Sequence, residues 1–137
     1  MKRFLCKVCL LVNDNPLDHA IFGQVLSDAS PEITCCVATS CQEALALMFD
    51  QLIIPDIVFI EAELPGINAI EFLTLFRSDP VYRNIPVIVH GSLNKRKIKE
   101  MKAAGATAIY PREYQYGGIL NIFFIYQLPE LILLRLN

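Results

Sequence analysis

Charge is scarce in this chain. Charged residues fill 19% of its 137 positions, and the formal net charge is −2. Such a balance gives no electrostatic ground for expecting nucleic acid as a partner. Disorder is excluded as well, because apolar residues make up 54% and can bury a core. No apolar run is clean enough for a membrane span. The richest, Ile119–Leu136, is interrupted by Asn121, Gln127, Pro129, Glu130 and Arg135. A secretory leader is not expected either: the run behind Met1-Lys2-Arg3 breaks at Lys7 and stops at Asn13-Asp14. Paired metal-ligand cysteines are missing. Of Cys6, Cys9, Cys35, Cys36 and Cys41, only Cys6-x-x-Cys9 has the spacing of a half-motif. It falls in a strand-like run, where residues three apart point to opposite faces. Core or surface thiols are the plainer reading, and a reducing, cytoplasmic compartment is expected. Low-complexity tracts and linker-length gaps are absent too, so the length fits one domain with one core.

What is present is a regular alternation. Val8–Val12 is a short continuous apolar run of the kind buried on both faces of a parallel sheet. Asn13-Asp14-Asn15-Pro16 stops it. Asn15 suits a helix cap and Pro16 a first turn. Leu17, Ala20, Ile21, Gly23, Val25 and Leu26 then recur at helical spacing. Ile33–Ala38 reads as a second strand. Ser40-x-x-Glu43 is a capping-box pattern opening a helix with Ala44, Leu45, Leu47 and Met48 inward. Ile57–Ile60 is a third strand, followed by the loop Glu61-Ala62-Glu63-Leu64-Pro65-Gly66. Asn68 caps a helix with Ala69, Phe72, Leu73 and Phe76 on one face. Val87–Val89 is a fourth strand, ending at His90-Gly91-Ser92. Asn94 starts a helix with Ile98, Met101 and Ala104 inward and Gly105 as its stop. Ala108–Tyr110 is a short fifth strand, and a last helix runs from about Ile119 to Gln127.

Five βα units in succession predict an α/β fold, with a parallel sheet covered by helices on both sides. In such sheets the ligand crevice lies at the carboxyl ends of the strands. The polar and acidic residues fall there: Asn13 and Asp14, Glu61 and Glu63, His90-Gly91-Ser92, and Arg112. Asp56 lies at the opposite end of strand three and reads as a turn residue. His19 and His90 have no second ligand or nucleophile at a linking spacing, so structural roles are expected for both.

The segments CLLVNDNPLD, PDIVFIEAELPGINAIEFL, IPVIVHGS and AAGATAIYPREY carry a resemblance to the receiver domains of bacterial two-component response regulators. It covers roughly residues 5 to 128. PDIVFIEAELPG is the most specific part, since members usually read P-D-[apolar]4-D-x-x-[LM]-P-G there. The resemblance implies a three-layer α/β/α sandwich, flavodoxin-like, with five parallel strands in the order 2-1-3-4-5. It also implies a receiver-like domain over 1–128 and an apolar tail over 129–137. In the family, a strand-one acidic pair and the strand-three Asp hold Mg²⁺. That Asp accepts the phosphoryl group, a Ser or Thr ending strand four binds it, and a Lys after strand five pairs with it.

This sequence departs from the pattern at most of those positions. The acidic pair is Asn13-Asp14, the phosphoacceptor position is Glu61, and Glu63 lies two residues on. Gly91 takes the Ser/Thr position with Ser92 beside it, and Arg112 takes the Lys position, followed by Glu113. In-line attack needs reacting atoms at about 3–3.5 Å and aligned, so a Glu one methylene longer is expected to phosphorylate poorly or not at all. Arg112 can meet Glu61 bidentately, which predicts a fixed Glu61–Arg112 pair. Asp14, Glu61 and Glu63 are candidate Mg²⁺ ligands. Binding is expected to be weak, because Asn13 supplies no charge.

The reading is a stand-alone, atypical receiver (a pseudo-receiver) that is not an enzyme. It is expected to signal through protein contacts with a kinase or a downstream target, without Asp phosphorylation. The alternatives are a Mg²⁺-dependent phosphotransfer or hydrolase enzyme using the acidic crevice, and a purely structural adaptor. Against the enzyme, no nucleophile, base and oxyanion set is visible. Lys95, Arg96, Lys97, Lys99 and Lys102 crowd the fourth helix, where a solvated face is the plainer reading than an acidic or nucleic-acid partner. The last helix is apolar all round. Ile119, Ile122, Phe123, Phe124 and Tyr126 are its candidate interface residues: either the apolar tail folds back over the helix, or helix and tail form an interface with a second copy or another partner, which is the preferred reading.

Overall fold

A computed structural model describes residues 8–29 and 33–110. The expected last helix, its interface residues, the tail, Cys6 and Arg112 lie outside the described residues. Within them the chain alternates strand and helix: β1 (Val8–Val12), α1 (Pro16–Ala29), β2 (Thr34–Ala38), α2 (Cys41–Phe49), β3 (Ile57–Glu61), α3 (Ala69–Ser78), β4 (Val87–His90), α4 (Lys95–Ala104) and β5 (Ala108–Tyr110). All strand pairs are parallel, and the order is β2-β1-β3-β4-β5. The expected order is therefore the observed one.

Strand alternation divides the core in two. Successive side chains in a strand point to opposite faces. Leu10, Val12, Val58, Ile60, Val87 and Val89 accordingly join α2, α3 and α4 through Ala44, Met48, Phe72, Phe76 and Met101. Cys9, Leu11, Ile57, Phe59 and Ile88 face the other way and meet Phe22 and Leu26 of α1. Both faces of the central strands are buried, which is why the strands read as unbroken apolar runs.

The helix starts follow their caps. Ser40, Asn68 and Asn94 each accept a hydrogen bond from the backbone N–H three residues on. The Ser40 cap departs from the expected box, because the Glu43 carboxylate bonds the Thr39 hydroxyl (2.8 Å) and N–H rather than the Ser40 N–H. α1 is rotated from the face its sequence spacing suggested. Phe22 is fully buried, edge-on to Phe59 with ring centroids 5.0 Å apart, and it sets the phase. Leu17 is 67% and Ile21 40% exposed as a result. Asp56 ties the sheet's far end, where its carboxylate accepts from the Val8 N–H.

Candidate functional site

Parallel register brings the carboxyl ends of β1, β3 and β4 side by side, and their terminal residues make the site. Asn13 follows β1, with its N–H on the Ala38 carbonyl at 2.9 Å. It is 3% exposed. Its side chain is spent on local structure: Oδ1 accepts from the Asn15 N–H at 2.7 Å, and Nδ2 donates to Asp18 at 3.3 Å. Its carbonyl meets the His19 ring at 2.5 Å. The loop is thus pinned to the first turn of α1, where Asn15 caps the helix by accepting from Leu17 and Asp18. Asp14, next along, is exposed.

Glu61 is the last residue of β3 and is 8% exposed. Its register partner is His90, the last residue of β4. One carboxylate oxygen, Oε2, lies 3.5 Å from His90 Nδ1. That is longer than a good hydrogen bond, and becomes an ion pair when the imidazole is protonated. Oε1 points toward Gly91. A β-carbon built on Gly91 would sit 3.2 Å from Glu61 Oε1 and 2.9 Å from Ala62 Cβ, and Gly91 has a φ of +157°. Backbone bonds fix these neighbours, with Ala62 N–H on the His90 carbonyl (2.9 Å) and Gly91 N–H on the Tyr110 carbonyl (3.0 Å). The side chain one methylene longer than Asp thus occupies space that a residue with a β-carbon would need.

The other expected residues are less drawn in. Glu63 and Ser92 are exposed, whereas Leu64 packs into the core. Gly66, at φ +83°, turns the β3–α3 loop against Gln42 at the start of α2. Asp14, Glu61 and Glu63 are not brought together: among the described residues no group of three or more His, Cys, Asp or Glu is placed to hold a metal ion. Since the Asn13 amide is also committed to Asn15 and Asp18, the residues present do not fit a resident divalent cation. The expected Glu61–Arg112 pair falls outside the described residues.

The sequence spacing gives His90 a structural role and does not reveal its contact with Glu61. The signal lay in the strand ends: Ile57–Glu61 and Val87–His90 terminate in register, so their last side chains are neighbours.

No protein-family model matches the chain, and no curated protein matches it. Solved structures do. The chemotaxis response regulator CheY4 of Vibrio cholerae is 22% identical, covering 90% of this chain and 99% of its own, with a TM-score of 0.78. The phosphorylated cyanobacterial phytochrome response regulator RcpA is 21% identical, covering 90% and 94%, with a TM-score of 0.77. The Mn²⁺-bound form of the response regulator Rcp1 is 18% identical, covering 85% and 88%, with a TM-score of 0.74. The chain has the fold of response-regulator receiver domains.

Proposed function

We propose that this chain is a receiver-type signalling module that works through protein contacts and without phosphorylation at the β3 site. One observation carries the reading. The Glu61 carboxylate lies between His90 and the space over Gly91, so the position that accepts a phosphoryl group in such domains is filled by a longer, buried side chain. A hydroxyl ending β4 has no place here without displacing Glu61 or Ala62. Residues with these roles in the receiver family are thereby replaced in concert rather than singly.

Signalling proteins are the partners this reading implies, a kinase upstream or a target downstream, in the cytoplasm. Rcp1 is known in a Mn²⁺-bound form and RcpA in a phosphorylated form. Neither property transfers to a site whose carboxylates are not clustered. The hydrolase alternative has less support, as the sequence offers no clear nucleophile, base and oxyanion set. A homodimer through Ile119, Ile122, Phe123, Phe124 and Tyr126 stays a proposal from the sequence.

Intact-mass spectrometry after incubation with a small phosphodonor and Mg²⁺ tests the reading. The expected spectrum shows unmodified protein. A stoichiometric, hydroxylamine-labile adduct on Glu61 would sink it, because an acyl phosphate would then form despite the buried carboxylate.

A further inference from the structure

Cys9, Cys35, Cys36 and Cys41 are free thiols. None of them belongs to the strand-end site. Two are neighbours across the sheet. Cys9 of β1 and Cys35 of β2 are register partners, so they stand directly opposite on adjacent parallel strands. Both side chains leave the same face of the sheet, where they pack with Phe22 and Leu26 of α1. Cys36 and Cys41 pack on the other face, in the core that α2, α3 and α4 cover. The sheet therefore separates these thiols and leaves Cys9 and Cys35 together on one side.

The spacing suits a covalent bond. Neighbouring strands run about 4.8 Å apart, and bridged cysteines have α-carbons roughly 4.4–6.8 Å apart. Side chains on one face of parallel strands keep their β-carbons near the strand spacing, somewhat wider than the roughly 3.8 Å of a relaxed disulfide. A bond here carries strain, and a strained disulfide is readily reduced. Among the described strands β2 lies at the sheet's edge, and an edge strand is held by ladder hydrogen bonds on one side only.

The two thiols differ. Cys9 is fully buried, whereas Cys35 is partly exposed. A hydrogen bond from Cys9 lowers the pKa of Cys35, against the desolvation that raises it. Cys35 is thus the reachable thiol, and its partner favours the thiolate, which is the reactive form. Cys9 is shielded from solvent and touches Cys35.

We infer that Cys9 and Cys35 form a redox modification site, in which Cys35 meets a peroxide and Cys9 resolves the product to an intramolecular disulfide. The Cys35 thiolate attacks one peroxide oxygen. The O–O bond breaks, the leaving oxygen takes a proton and departs as water, and Cys35 becomes a sulfenic acid. Cys9 then attacks the Cys35 sulfur, the S–O bond breaks, and the oxygen leaves as a second water with the Cys9 proton. Two thiols give up two electrons and two protons, and the peroxide becomes two waters. A strained, reversible bond matches a reducing compartment, where disulfides are transient and redox-sensing. The inference is independent of the chemistry at Glu61, because Cys9 lies near the start of β1 and the strand-end site lies beyond its end.

The test exposes the full chain to hydrogen peroxide at neutral pH, blocks the remaining thiols with an alkylating agent, and reads intact mass and non-reducing peptide maps. The expected product is a single chain in which two thiols escape alkylation, the Cys9 peptide is linked to the Cys35 peptide, and dithiothreitol restores both. C36S is expected to give the same link. C9S, shown to be folded by circular dichroism, is expected to lose the link and stop at the sulfenic acid, so that dimedone labels Cys35. In the wild-type chain, a link to Cys6, Cys36 or Cys41 in place of the expected one, a bond between two chains, or oxidation of Cys35 to a sulfinic acid with no link would each overturn the proposal.

Discussion

A single methylene separates Glu from Asp at the end of β3, and its consequence is felt on β4. Glu61 Oε1 stands 3.2 Å from the place a Gly91 β-carbon would take. Overpacking of a filled site costs roughly 1–3 kcal/mol, so G91A is expected to destabilise the protein by about that much. In the E61D variant the carboxylate withdraws, and the same G91A change is expected to cost less. The Ala62 contact at 2.9 Å keeps the relief partial. Urea midpoints of the four proteins at constant slope measure the coupling. Equal costs in both backgrounds would mean the two residues are not adapted to each other. The cysteines give a second prediction at this scale. Burial, together with the nearby Glu71 charge, pushes the Cys41 thiol up to about 11, while a hydrogen bond from Cys9 lowers that of Cys35. The thiolate is the reactive form. At neutral pH alkylation is therefore expected at Cys35 well before Cys41, as read by peptide mapping of the native protein.

Glycine position separates what the elements tolerate. Gly23 lies within α1, and a β-carbon there meets nothing within 4 Å. A helix-interior Gly costs roughly 0.5–1 kcal/mol relative to Ala, so G23A is expected to raise stability by about that amount. Gly105 ends α4 at φ +116°, and a β-carbon would come within 2.6 Å of Arg77 Cγ. Arg77 cannot easily retreat, because its guanidinium donates to the carbonyls of Gly105, Tyr82, Arg83 and Ile85. G105A is expected to cost about 2 kcal/mol or more, and thermal midpoints should move in opposite directions for the two variants. The caps at Ser40, Asn68 and Asn94 and the stop at Gly105 were all legible in the sequence, because each is a contact within a few residues. The phase of α1 was not. Leu17 and Ile21 have the right spacing for a buried face, and only the position of Phe59 on a strand distant in sequence decides that Phe22 takes it. The Glu61–His90 contact was hidden for the same reason. It depends on where β4 ends relative to β3, a register that neither segment encodes alone.

At the scale of the molecule, the sheet order and its two-faced core follow from apolar runs that any receiver-like sequence carries, so the fold was readable through the resemblance. The chemistry was readable only as a set of departures from it. Asn13 is tied into the α1 turn, Asp14 and Glu63 are exposed, and the Glu61 carboxylate meets His90 at the end of β4. Among the described residues, no group of three or more His, Cys, Asp or Glu is placed as the cage a hard divalent cation needs. A ligand that binds only the folded state stabilises it by RT ln(1 + [L]/Kd), so a site with a Kd of about 1 mM would add about 1.4 kcal/mol at roughly 10 mM Mg²⁺. In a domain of this size that is a rise of several degrees, on the order of 3–8 °C. The expected result is no rise beyond that given by a monovalent salt of equal ionic strength. A Mg²⁺-specific rise that disappears in E61Q would show that the carboxylates do converge on a cation in solution, and that the site keeps the metal-binding half of receiver chemistry while its acceptor is altered.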